Sequence, residues 1–369
     1  MKILHVASDL YPDIIGGIGI HVHEISKWQI KSGHSVTIFT LNHNRFPGIE
    51  IINNCKVIRF DIFMKILGNS FSFQLIPALY KQYRNYDIIH AHSHLFFSTA
   101  LCSVIRLTKK KPLIITCHGL LSASAPKWLN SLYMIMFSKP IFHIADHIIC
   151  LTELEKKTLV NLGIEDTKIS VIPNGIDIDL FFPNTKLREN GQKQILWVGR
   201  FVPGKCVEDL VDAFFLVHRN HPDTNLVLVG DGPLLKDIQQ KVASLHLTQN
   251  VKFIKQLEHS ELPELYNRSH VFVLPSLMEG MPLTILESMS CGVPVIITEF
   301  PHLKELIEGS GIFVPPKNAE KLAEEITFLV EDEKYSHQLG THGRGVIEDG
   351  YSWQNTAGKT VALYEKLVG

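Results

Sequence analysis

The chain has 369 residues, more than one compact domain usually holds, so we expect two domains. Hydrophobic residues make up 45% of the chain and charged residues 20%, and the net charge of −1 excludes a chain-wide attraction to nucleic acid. The six cysteines include no C-x-x-C pair, and no run of about eighteen apolar residues is present, which excludes a disulfide framework, a cysteine zinc site and a membrane-spanning helix and favours the cytoplasm.

Short β-type runs alternate with helical patterns along the first half of the chain, which is typical of βαβ units around a parallel sheet. The apolar run 2–7 is too short for a signal-peptide core and is interpreted as the first strand. Ile18, Val22 and Ile25 mark one side of a helix predicted over 18–32. The strands predicted for this half are 2–7, 35–40, 56–60, 87–91, 112–116, 147–150 and 168–172.

A polar stretch with Pro and Gly at 183–193 separates this half from a second alternating pattern and is interpreted as the interdomain linker. The strands predicted after it are 194–199, 225–229, 251–254, 271–274, 294–297 and 311–314. The helices predicted there are 206–219, 233–245, 260–268, 282–291, 302–308 and 318–331, followed by a helical tail. We therefore predict two Rossmann-like, doubly wound α/β domains over 1–182 and 194–350, with a helix in 351–369 that packs back on the first domain.

The small net charge hides an asymmetry between the two halves. Residues 1–185 hold 18 Lys and Arg against 13 Asp and Glu, whereas the remaining residues hold 18 against 24. Twelve of the basic residues fall in 45–139, where only three acidic residues occur. Such a basic region suits an anionic acceptor or a lipid surface, although lysines that only keep the protein soluble would give the same count.

The strongest functional signal is a strand–loop–helix pattern that starts near residue 275. Pro282 suits the first position of this helix, and the N–H groups of Leu283 and Thr284 then point out of its N-terminus. Unpaired donors and the helix dipole make such an end a phosphate site. Glu279 and Glu287 lie on opposite sides of it, where their carboxylates can accept hydrogen bonds from the hydroxyls of a sugar and of a ribose.

Two further features of the sequence suit phosphate binding. Arg200 ends a predicted strand and Lys205 begins the next helix, at the edge where open α/β sheets bind ligands, so both cations can converge on a diphosphate. Gly16 and Gly17 follow the first strand, where the lack of side chains lets the backbone approach a phosphate. A dinucleotide-binding fingerprint needs a third glycine where Val22 stands, so a dehydrogenase is disfavoured.

Glu279, seven intervening residues and Glu287 resemble the hallmark of the retaining glycosyltransferases of the GT-B fold, in family 4. Further motifs in the same order extend the resemblance over nearly the whole chain: Gly16 and Gly17, His90 to His92, 173–177, 198–200 and 230–233. The resemblance implies a GT-B fold with the active site in the cleft between the domains and a nucleotide diphosphate sugar as donor. The family has glycine after the lysine, whereas Cys206 stands here, a departure that bears on the backbone of the loop and not on its charge.

The resemblance also implies which residues form the site. Catalytic roles fall to His118, Arg200, Lys205 and Glu279. The two cations neutralise the departing nucleoside diphosphate, and His118, at a strand end, lies near the donor sugar. A neutral imidazole there can donate to a sugar hydroxyl or help to take the acceptor proton. The residues expected to bind the donor are Gly16, Gly17, Asn174, Gly230, Gly232, Gly280, Met281, Pro282, Leu283, Thr284 and Glu287.

No metal ion and no other cofactor is expected. His90, His92 and His94 have ligand-like spacing, but they straddle a strand end without a carboxylate cluster. Asp177 and Asp179 belong to the segment before the linker and are not assigned to a metal. In the family, the two cations stand in for a metal ion at the leaving diphosphate.

These features predict a retaining, metal-independent glycosyltransferase that moves a hexose or N-acetylhexosamine to a glycan or lipid-linked acceptor, in cell-surface polysaccharide or glycoconjugate biosynthesis. A UDP-sugar is favoured as donor, GDP-mannose is compatible, and nucleic acid is not a partner. Peripheral contact of the basic first domain with the inner membrane face is a further expectation, although the apolar residues of 71–80 suit a helix facing the core better. A nucleotide-sugar epimerase on the same fold and a non-catalytic sugar-nucleotide binding protein are the alternatives.

Overall fold

The computed structural model describes residues 1–14, 16–43, 46–66, 69–121, 127–188, 193–255 and 257–369. These residues form two compact units: the first is Met1–Gly175 with Trp353–Gly369, and the second is Ile176–Ser352. The second unit therefore begins before the predicted boundary at residue 182. Of the predicted linker, Thr185–Arg188 forms a 3-10 helix, and 189–192 lie outside the described residues.

Strands and helices alternate along both units. The strands are β1 (Lys2–Val6), β2 (Ser35–Asn42), β3 (Ile49–Ile52), β4 (Cys55–Asp61), β5 (Met64–Ile66), β6 (Asn69–Phe71), β7 (Ile88–His92), β8 (Leu113–Thr116), β9 (His147–Cys150), β10 (Ile169–Val171), β11 (Lys193–Val198), β12 (Thr224–Val229), β13 (Val251–Ile254), β14 (Val271–Leu274), β15 (Val295–Thr298) and β16 (Gly311–Val314). The helices are α1 (Gly17–Lys31), α2 (Leu75–Gln82), α3 (Phe97–Lys109), α4 (Lys127–Tyr133), α5 (Lys139–Ile144), α6 (Glu153–Asn161), α7 (Val207–Asn220), α8 (Leu235–Ser244), α9 (Leu262–Arg268), α10 (Leu283–Ser290), α11 (Lys304–Ile307), α12 (Ala319–Glu331), α13 (Glu333–Gly350) and α14 (Trp353–Val368). The strands and helices predicted above are confirmed to within about two residues at each end.

The first unit is built on a sheet in the order β10-β9-β8-β7-β1-β2-β4-β3, which is parallel except for the edge pair of β3 and β4. Central strands are buried on both faces and so consist of apolar runs, such as Ile114 and Ile115 in β8. The strand order reverses between β1 and β7. The carboxyl ends of these two strands are therefore the expected ligand-binding edge of this sheet.

The second unit is built on a sheet in the order β13-β12-β11-β14-β15-β16, with every pair parallel. This is the strand order of doubly wound nucleotide-binding domains, and it reverses between β11 and β14. Buried side chains of β11, α7 and α12 form its main core, with Trp197, Phe214 and Ile326 at its centre. The predicted fold class, two Rossmann-like doubly wound α/β domains, is confirmed.

The last helix, α14, belongs to the first unit and packs against α1. Nε2 of Gln29 in α1 donates to the hydroxyl of Tyr364 in α14 over 3.2 Å. A Cβ at Gly175 would lie 2.6 Å from the backbone of Trp353, so only glycine lets the chain pass the start of this helix. None of the described helices is both long and apolar enough to cross a membrane.

Candidate active site

Two loops that carry predicted site residues lie side by side at the carboxyl edge of the second sheet. They are 199–206, after β11, and 275–282, after β14. Because β11 and β14 are neighbours where the strand order reverses, these loops border the crevice in which open α/β sheets bind ligands. The N–H of Leu277 donates to the carbonyl oxygen of Gly204 over 2.7 Å and ties the two loops together.

The predicted cations stand on the first of these loops. The ammonium of Lys205 lies 2.5 Å from Oε1 of Glu279, and the lysine side chain is 23% exposed against 9% for the glutamate. Arg200 is exposed, and its guanidinium forms no ion pair with any residue that the structure describes. An ammonium has three N–H donors, so Lys205 can keep its contact with Glu279 and also bind a phosphate oxygen. The structure thus places Arg200, Lys205 and Glu279 at one edge of one sheet.

Gly230 and Gly232 follow β12 and pack directly against the loop that carries Arg200. A Cβ at Gly230 would overlap the carbonyl oxygen of Gly199, and a Cβ at Gly232 would overlap that of Phe201. Their φ angles of +136° and +156° are also ones that glycine tolerates and other residues do not. These two predicted donor-binding glycines therefore have a structural role, which is to let the loops after β11 and β12 approach each other.

Cys206, where the family has glycine, has a left-handed backbone with φ of +49° and ψ of +43° immediately before α7. This conformation favours glycine because a Cβ crowds the following carbonyl. Its side chain is buried. The loop thus keeps a glycine-type backbone at a cysteine, and some strain is stored next to Lys205.

The start of α10 has the features of an anion site. Pro282 is extended and stands just before the helix, so it caps α10 and does not open it as predicted. The N–H groups of Leu283 and Thr284 lie in the first turn, where a helix offers them no acceptor. Gly280 and Met281 form the approach to this turn. The helix dipole and the first amides therefore face the same edge of the sheet as the cations.

The sequence did not reveal that His302 supports this loop. His302 follows β15, and its Nε2 lies 3.1 Å from the carbonyl oxygens of both Glu279 and Gly280. One ring N–H shared between two carbonyls fixes the backbone beside the Glu279 carboxylate. The sequence shows only that His302 follows a predicted strand of the same sheet. That position does not indicate whether the histidine supports the loop of Glu279 or has another role.

Glu287 in α10 is buried and already engaged within the second unit. Its Oε1 accepts from Nε2 of His259 over 2.9 Å, and its Oε2 accepts from the hydroxyl of Tyr266 over 2.7 Å. Burial raises the pKa of Tyr266 well above its usual range, and the adjacent carboxylate raises it further. Each carboxylate oxygen can accept a second hydrogen bond. Contact of Glu287 with a ribose therefore stays a prediction, whereas its contacts with His259 and Tyr266 are features of the fold.

Gly16, Gly17 and Asn174 lie at the carboxyl edge of the first sheet. Gly16 and Gly17 begin α1, and a Cβ at either would meet no described atom within 4 Å. No packing contact with the described atoms requires glycine at these two positions, and anion binding by the N-terminus of α1 stays a prediction. Asn174 is buried, and its Oδ1 accepts from Nδ1 of His21 over 2.8 Å.

His118 follows β8 at the same edge and is partly buried. Its loop is held by Glu155, whose carboxylate accepts from the N–H of Gly119 over 3.0 Å. Nε2 of His118 lies 3.2 Å from Nδ1 of His92, and its ring centroid lies 4.7 Å from that of His21. Burial lowers the pKa of His118 well below the usual range, and nearby histidines lower it further. The imidazole is therefore neutral near pH 7.

A buried chain of hydrogen bonds, which the sequence did not predict, fixes the tautomer of His118. Nε2 of His5 lies 2.7 Å from Oε1 of Gln29, an atom that can only accept, so this nitrogen carries the proton. Nδ1 of His5 then accepts from Nε2 of His92 over 2.9 Å, and Nδ1 of His92 accepts from Nε2 of His118. The Nδ1 atom of His118 is left as a hydrogen-bond acceptor.

The histidines of the first unit also have spacing that can hold a metal ion. Two sets have ligand atoms within 4.8 Å of one another: His5, His90 and His92, and His21, His92 and His118. Imidazole nitrogens in such sets suit zinc and similar transition metals. His94 lies outside both sets and contacts the carbonyl oxygen of Leu120 over 3.3 Å. A site free of metal, as expected from the sequence, therefore stays a prediction.

Comparison with known proteins matches almost the whole chain to glycosyltransferases. The model of glycosyltransferase family 4 matches residues 15–180, and the model of glycosyl transferases group 1 matches residues 181–346. An uncharacterized glycosyltransferase of Methanocaldococcus jannaschii is 25% identical over 99% of this chain and 98% of its own length. One subunit of the phosphatidylinositol N-acetylglucosaminyltransferase of Homo sapiens is 24% identical over 98% of this chain and 75% of its own length.

Solved structures agree with the family models. Sucrose-phosphate synthase from Thermosynechococcus elongatus is similar with a TM-score of 0.83 and 25% identity, covering 100% of this chain and 99% of that one. Anabaena HepE in complex with UDP and glucose is similar in fold with a TM-score of 0.81 and 19% identity, covering 99% of this chain and 100% of that one. Together with the strand orders and loops described above, these matches show that the chain belongs to the group 1 glycosyltransferases of family 4 and has the GT-B fold.

Proposed function

We propose that this glycosyltransferase moves a hexose or N-acetylhexosamine from a nucleotide diphosphate sugar to a glycan or lipid-linked acceptor, with retention at the anomeric carbon and without a metal ion. A UDP-sugar is the favoured donor and GDP-mannose is the second candidate. The proposed setting is the cytoplasmic synthesis of cell-surface polysaccharide or glycoconjugates.

One observation carries this proposal: the ion pair of Lys205 and Glu279 stands beside Arg200 and the start of α10, where the strand order of the second sheet reverses. Two cations and a helix N-terminus supply the positive potential that a diphosphate needs. The Glu279 carboxylate can accept hydrogen bonds from the hydroxyls of the attached sugar. The same crevice thus has groups for both parts of the donor.

The names of related proteins support the donor and acceptor classes. HepE, which shares the fold, was solved with UDP and glucose. The human relative is named a phosphatidylinositol N-acetylglucosaminyltransferase, which supports an N-acetylhexosamine as the transferred sugar and an acceptor of the lipid class. The transferase names of the relatives do not favour the alternative of an epimerase.

The proposed reaction breaks the bond between the anomeric carbon and the donor phosphate oxygen and forms a bond from that carbon to the acceptor hydroxyl oxygen. The electron pair of the broken bond stays on the phosphate oxygen, where Arg200, Lys205 and the first amides of α10 stabilise it. The acceptor attacks on the face from which the diphosphate departs and gives its proton to that oxygen. Retention follows from attack on this face.

We assign His118 to a hydroxyl of the donor sugar, with its Nδ1 as the accepting atom. The hydrogen-bond chain through His92 keeps the proton on Nε2, and burial keeps the ring neutral. A neutral acceptor can orient a hydroxyl without placing a second positive charge beside the anomeric carbon. His118→Ala is expected to lower turnover more than donor affinity.

The proposal is tested by kinetics after the donor has been identified. Thermal shift with UDP-glucose, UDP-N-acetylglucosamine and GDP-mannose identifies the donor, because a bound ligand stabilises the folded state. Release of nucleoside diphosphate is then measured for Arg200→Ala and Lys205→Ala. Each variant should lose at least about 100-fold in kcat/KM, since each removes a charge that stabilises the leaving group.

Two surface substitutions in the second unit serve as matched controls. Lys241→Ala removes a lysine that pairs with Asp212 over 2.6 Å, and Arg268→Ala removes an arginine that pairs with Glu264 over 2.6 Å. Neither residue lies on the two loops at the carboxyl edge, so turnover should stay at the wild-type rate. If Arg200→Ala and Lys205→Ala remain within about twofold of wild type, the diphosphate assignment is wrong.

A further inference from the structure

A helical segment of the first unit presents its apolar side chains to the outside. The segment comprises α4, a π-helix over Met134–Ser138, and α5. Its inward positions are the polar residues Asn130 and Ser138 and the apolar residues Met134, Ile141 and Phe142. The opposite face carries large apolar side chains that are 47% to 68% exposed: Trp128, Leu132, Ile135, Met136 and Phe137. A surface helix normally has polar residues on its outer face, so this face is suited to an apolar partner.

The hairpin of β5 and β6 adds exposed apolar side chains of its own. Phe63 is 64% exposed and Phe73 62%, and their ring centroids lie 4.6 Å apart, so they form one apolar cluster. Ile66 in the hairpin is 49% exposed. The following helix α2 buries Leu75 and Leu79, as predicted for a core-facing helix, but leaves other apolar residues exposed: Ile76 and Tyr80.

The hairpin and the helical segment are neighbours, because both bind the same backbone oxygen. The carbonyl oxygen of Leu95 accepts from Nδ2 of Asn69 in β6 over 2.5 Å and from the hydroxyl of Tyr133 in α4 over 3.3 Å. The rings of Phe71 and Phe97 lie 4.7 Å apart at the same junction. We call the combined area the docking surface; it consists of Phe63, Met64, Ile66, Phe73, Trp128, Leu132, Ile135, Met136 and Phe137.

Basic residues accompany the docking surface, together with one acidic residue, Asp61, which precedes Phe63 by two positions and accepts from Nε2 of Gln74 over 3.5 Å. Lys65 lies in β5, and the ammonium of Lys109 lies 3.6 Å from the centroid of the Tyr80 ring in α2. Of the three acidic residues in 45–139, Glu50 pairs with Arg59 over 2.8 Å, and Asp87 accepts from the backbone N–H of Lys2 over 2.7 Å: these two carboxylates are engaged elsewhere. Exposed apolar side chains with cations nearby are typical of a protein surface that contacts anionic lipid.

We propose that the docking surface lies on an anionic phospholipid bilayer, with its aromatic and aliphatic side chains at the boundary between headgroups and acyl chains. The inference deepens the proposed function, on which it rests, because it assigns the acceptor to the lipid-linked class. A second copy of the chain fits less well, since two such surfaces face to face would bring their lysines together.

Vesicle sedimentation tests this proposal with the full chain and without donor. Vesicles are made of phosphatidylcholine alone or with about 30% phosphatidylglycerol. Wild-type protein should sediment with the anionic vesicles, and less of it should do so as salt rises. Ile135→Glu should weaken this binding at least about tenfold, because it places a carboxylate at the apolar boundary. On binding, the Trp emission should shift to shorter wavelength, and Trp128→Phe should abolish the shift.

The matched control is Ile51→Glu, which makes the same change at a residue of the same unit with nearly equal exposure, 64% against 61% for Ile135. Ile51 lies in the edge strand β3 and outside the docking surface, so its variant should bind anionic vesicles like wild type. The proposal is wrong if the wild-type protein does not sediment with the anionic vesicles, or if the Ile135→Glu and Ile51→Glu variants bind these vesicles equally well. The proposal is also wrong if sedimentation velocity shows that the wild-type protein is a dimer and that the Ile135→Glu variant is a monomer. None of these results depends on catalysis, so they are separate from a failure of the transferase proposal.

Discussion

The ion pair of Lys205 and Glu279 joins two residues to which we assign different parts of the donor. Lys205 is proposed to bind the diphosphate and Glu279 the sugar. Glu279→Ala should therefore lower turnover of the donor at least about 100-fold. The same variant should bind the free nucleoside diphosphate at least as tightly as wild type, because Lys205 loses its competing partner. Titration calorimetry and steady-state kinetics measure the two effects separately.

A carboxylate elsewhere on the second unit provides the control for this experiment. Glu264 pairs with Arg268 on the surface, and Glu264→Ala should change neither quantity. Lys205→Ala should lose turnover as well, but unlike Glu279→Ala it should also lose nucleoside diphosphate affinity. Equal losses of that affinity in both variants would contradict the assignment of the two side chains.

The left-handed backbone at Cys206 gives a prediction for stability. Cys206→Gly should keep the free energy of unfolding within about 1 kcal/mol of wild type, because relief of the backbone offsets the loss of a buried thiol. Cys206→Val should lose about 2 kcal/mol or more, since a β-branched residue fits this conformation worst. Guanidinium denaturation measures both values.

Cys291 supplies the comparison for Cys206. It is also buried, but its φ is −80°, where glycine has no advantage. Cys291→Gly should therefore lose clearly more stability than Cys206→Gly. Equal losses would mean that the cysteine before α7 is not strained.

At the scale of single residues, the sequence predicted which charged groups meet at the edge of the second sheet but not what holds them. Arg200 and Lys205 were predictable because they stand at the end of a predicted strand and before a predicted helix, and Glu279 because it lies in the loop between a predicted strand and a predicted helix. The supports of the site come from elements distant in sequence: His302 beside Glu279, and His259 and Tyr266 on Glu287. Such contacts depend on the packing of neighbouring loops, for which periodicity carries no signal.

At the scale of elements, the close approach of the loops after β11 and β12 can be tested at Gly230. Gly230→Ala adds a Cβ that overlaps the carbonyl oxygen of Gly199 at a φ of +136°. The loop that carries Arg200 must then move, so we expect a loss of about 2 kcal/mol or more and a large loss of turnover. Chemical denaturation followed by circular dichroism measures the loss of stability, and steady-state kinetics of the folded variant measures the loss of turnover.

Gly345→Ala is the control for this substitution. Gly345 lies inside α13, where a Cβ would meet no described atom within 4 Å, so alanine should stabilise the helix by up to about 1 kcal/mol. Turnover should not change. A Gly230→Ala variant as stable and active as Gly345→Ala would contradict the packing role of the glycine turn.

The long central strands, the helix 18–32 and the helices of the second unit were predictable because buried parallel strands are apolar runs and helices repeat every 3.6 residues. The strands that were missed, β3, β5 and β6, lie at the edge of a sheet or in a separate hairpin. β5 and β6 have three residues each, and all of β5 is exposed, so neither has a clear pattern of burial. Edge strands form because a neighbour offers hydrogen bonds, which composition alone does not reveal.

At the scale of the whole molecule, the buried histidines of the first unit make stability depend on pH. Burial lowers the pKa of His5 and of His21 from 6.5 to about 4. In the unfolded chain these rings take up protons near pH 6.5, whereas in the folded chain they stay neutral down to about pH 4. Stability is therefore complete above about pH 6.5 and falls as the pH falls to about 4, by about 3 kcal/mol for each of the two histidines.

Chemical denaturation between pH 7.5 and 4.5 measures this dependence. His21→Asn should flatten it, because the unfolded chain then has one fewer proton to gain. His337→Asn, at an exposed position, should leave the dependence as in wild type. If both variants show the slope of wild type, His21 does not contribute to the loss of stability in acid.

The division of the chain into two doubly wound units was predictable from the switch between two alternating patterns. Its boundary was not, because the chain passes into the second unit at Ile176, inside the segment that the motif pattern assigned to the first. The segment contains Asn174, which bonds His21, and Ile176, whose N–H donates to the carbonyl oxygen of Tyr351 over 2.7 Å. These partners lie far away in sequence. Local composition therefore placed the predicted boundary in the polar stretch that follows.

The central claim is that a nucleoside diphosphate binds where β11 and β14 end. A crystal structure of the protein soaked with UDP, or with the diphosphate of the donor found by thermal shift, tests it most directly. We predict phosphate oxygens within hydrogen-bond distance of Arg200, Lys205 and the N–H groups of Leu283 and Thr284. A well-ordered nucleotide bound elsewhere, with these groups unchanged, would contradict the proposed function.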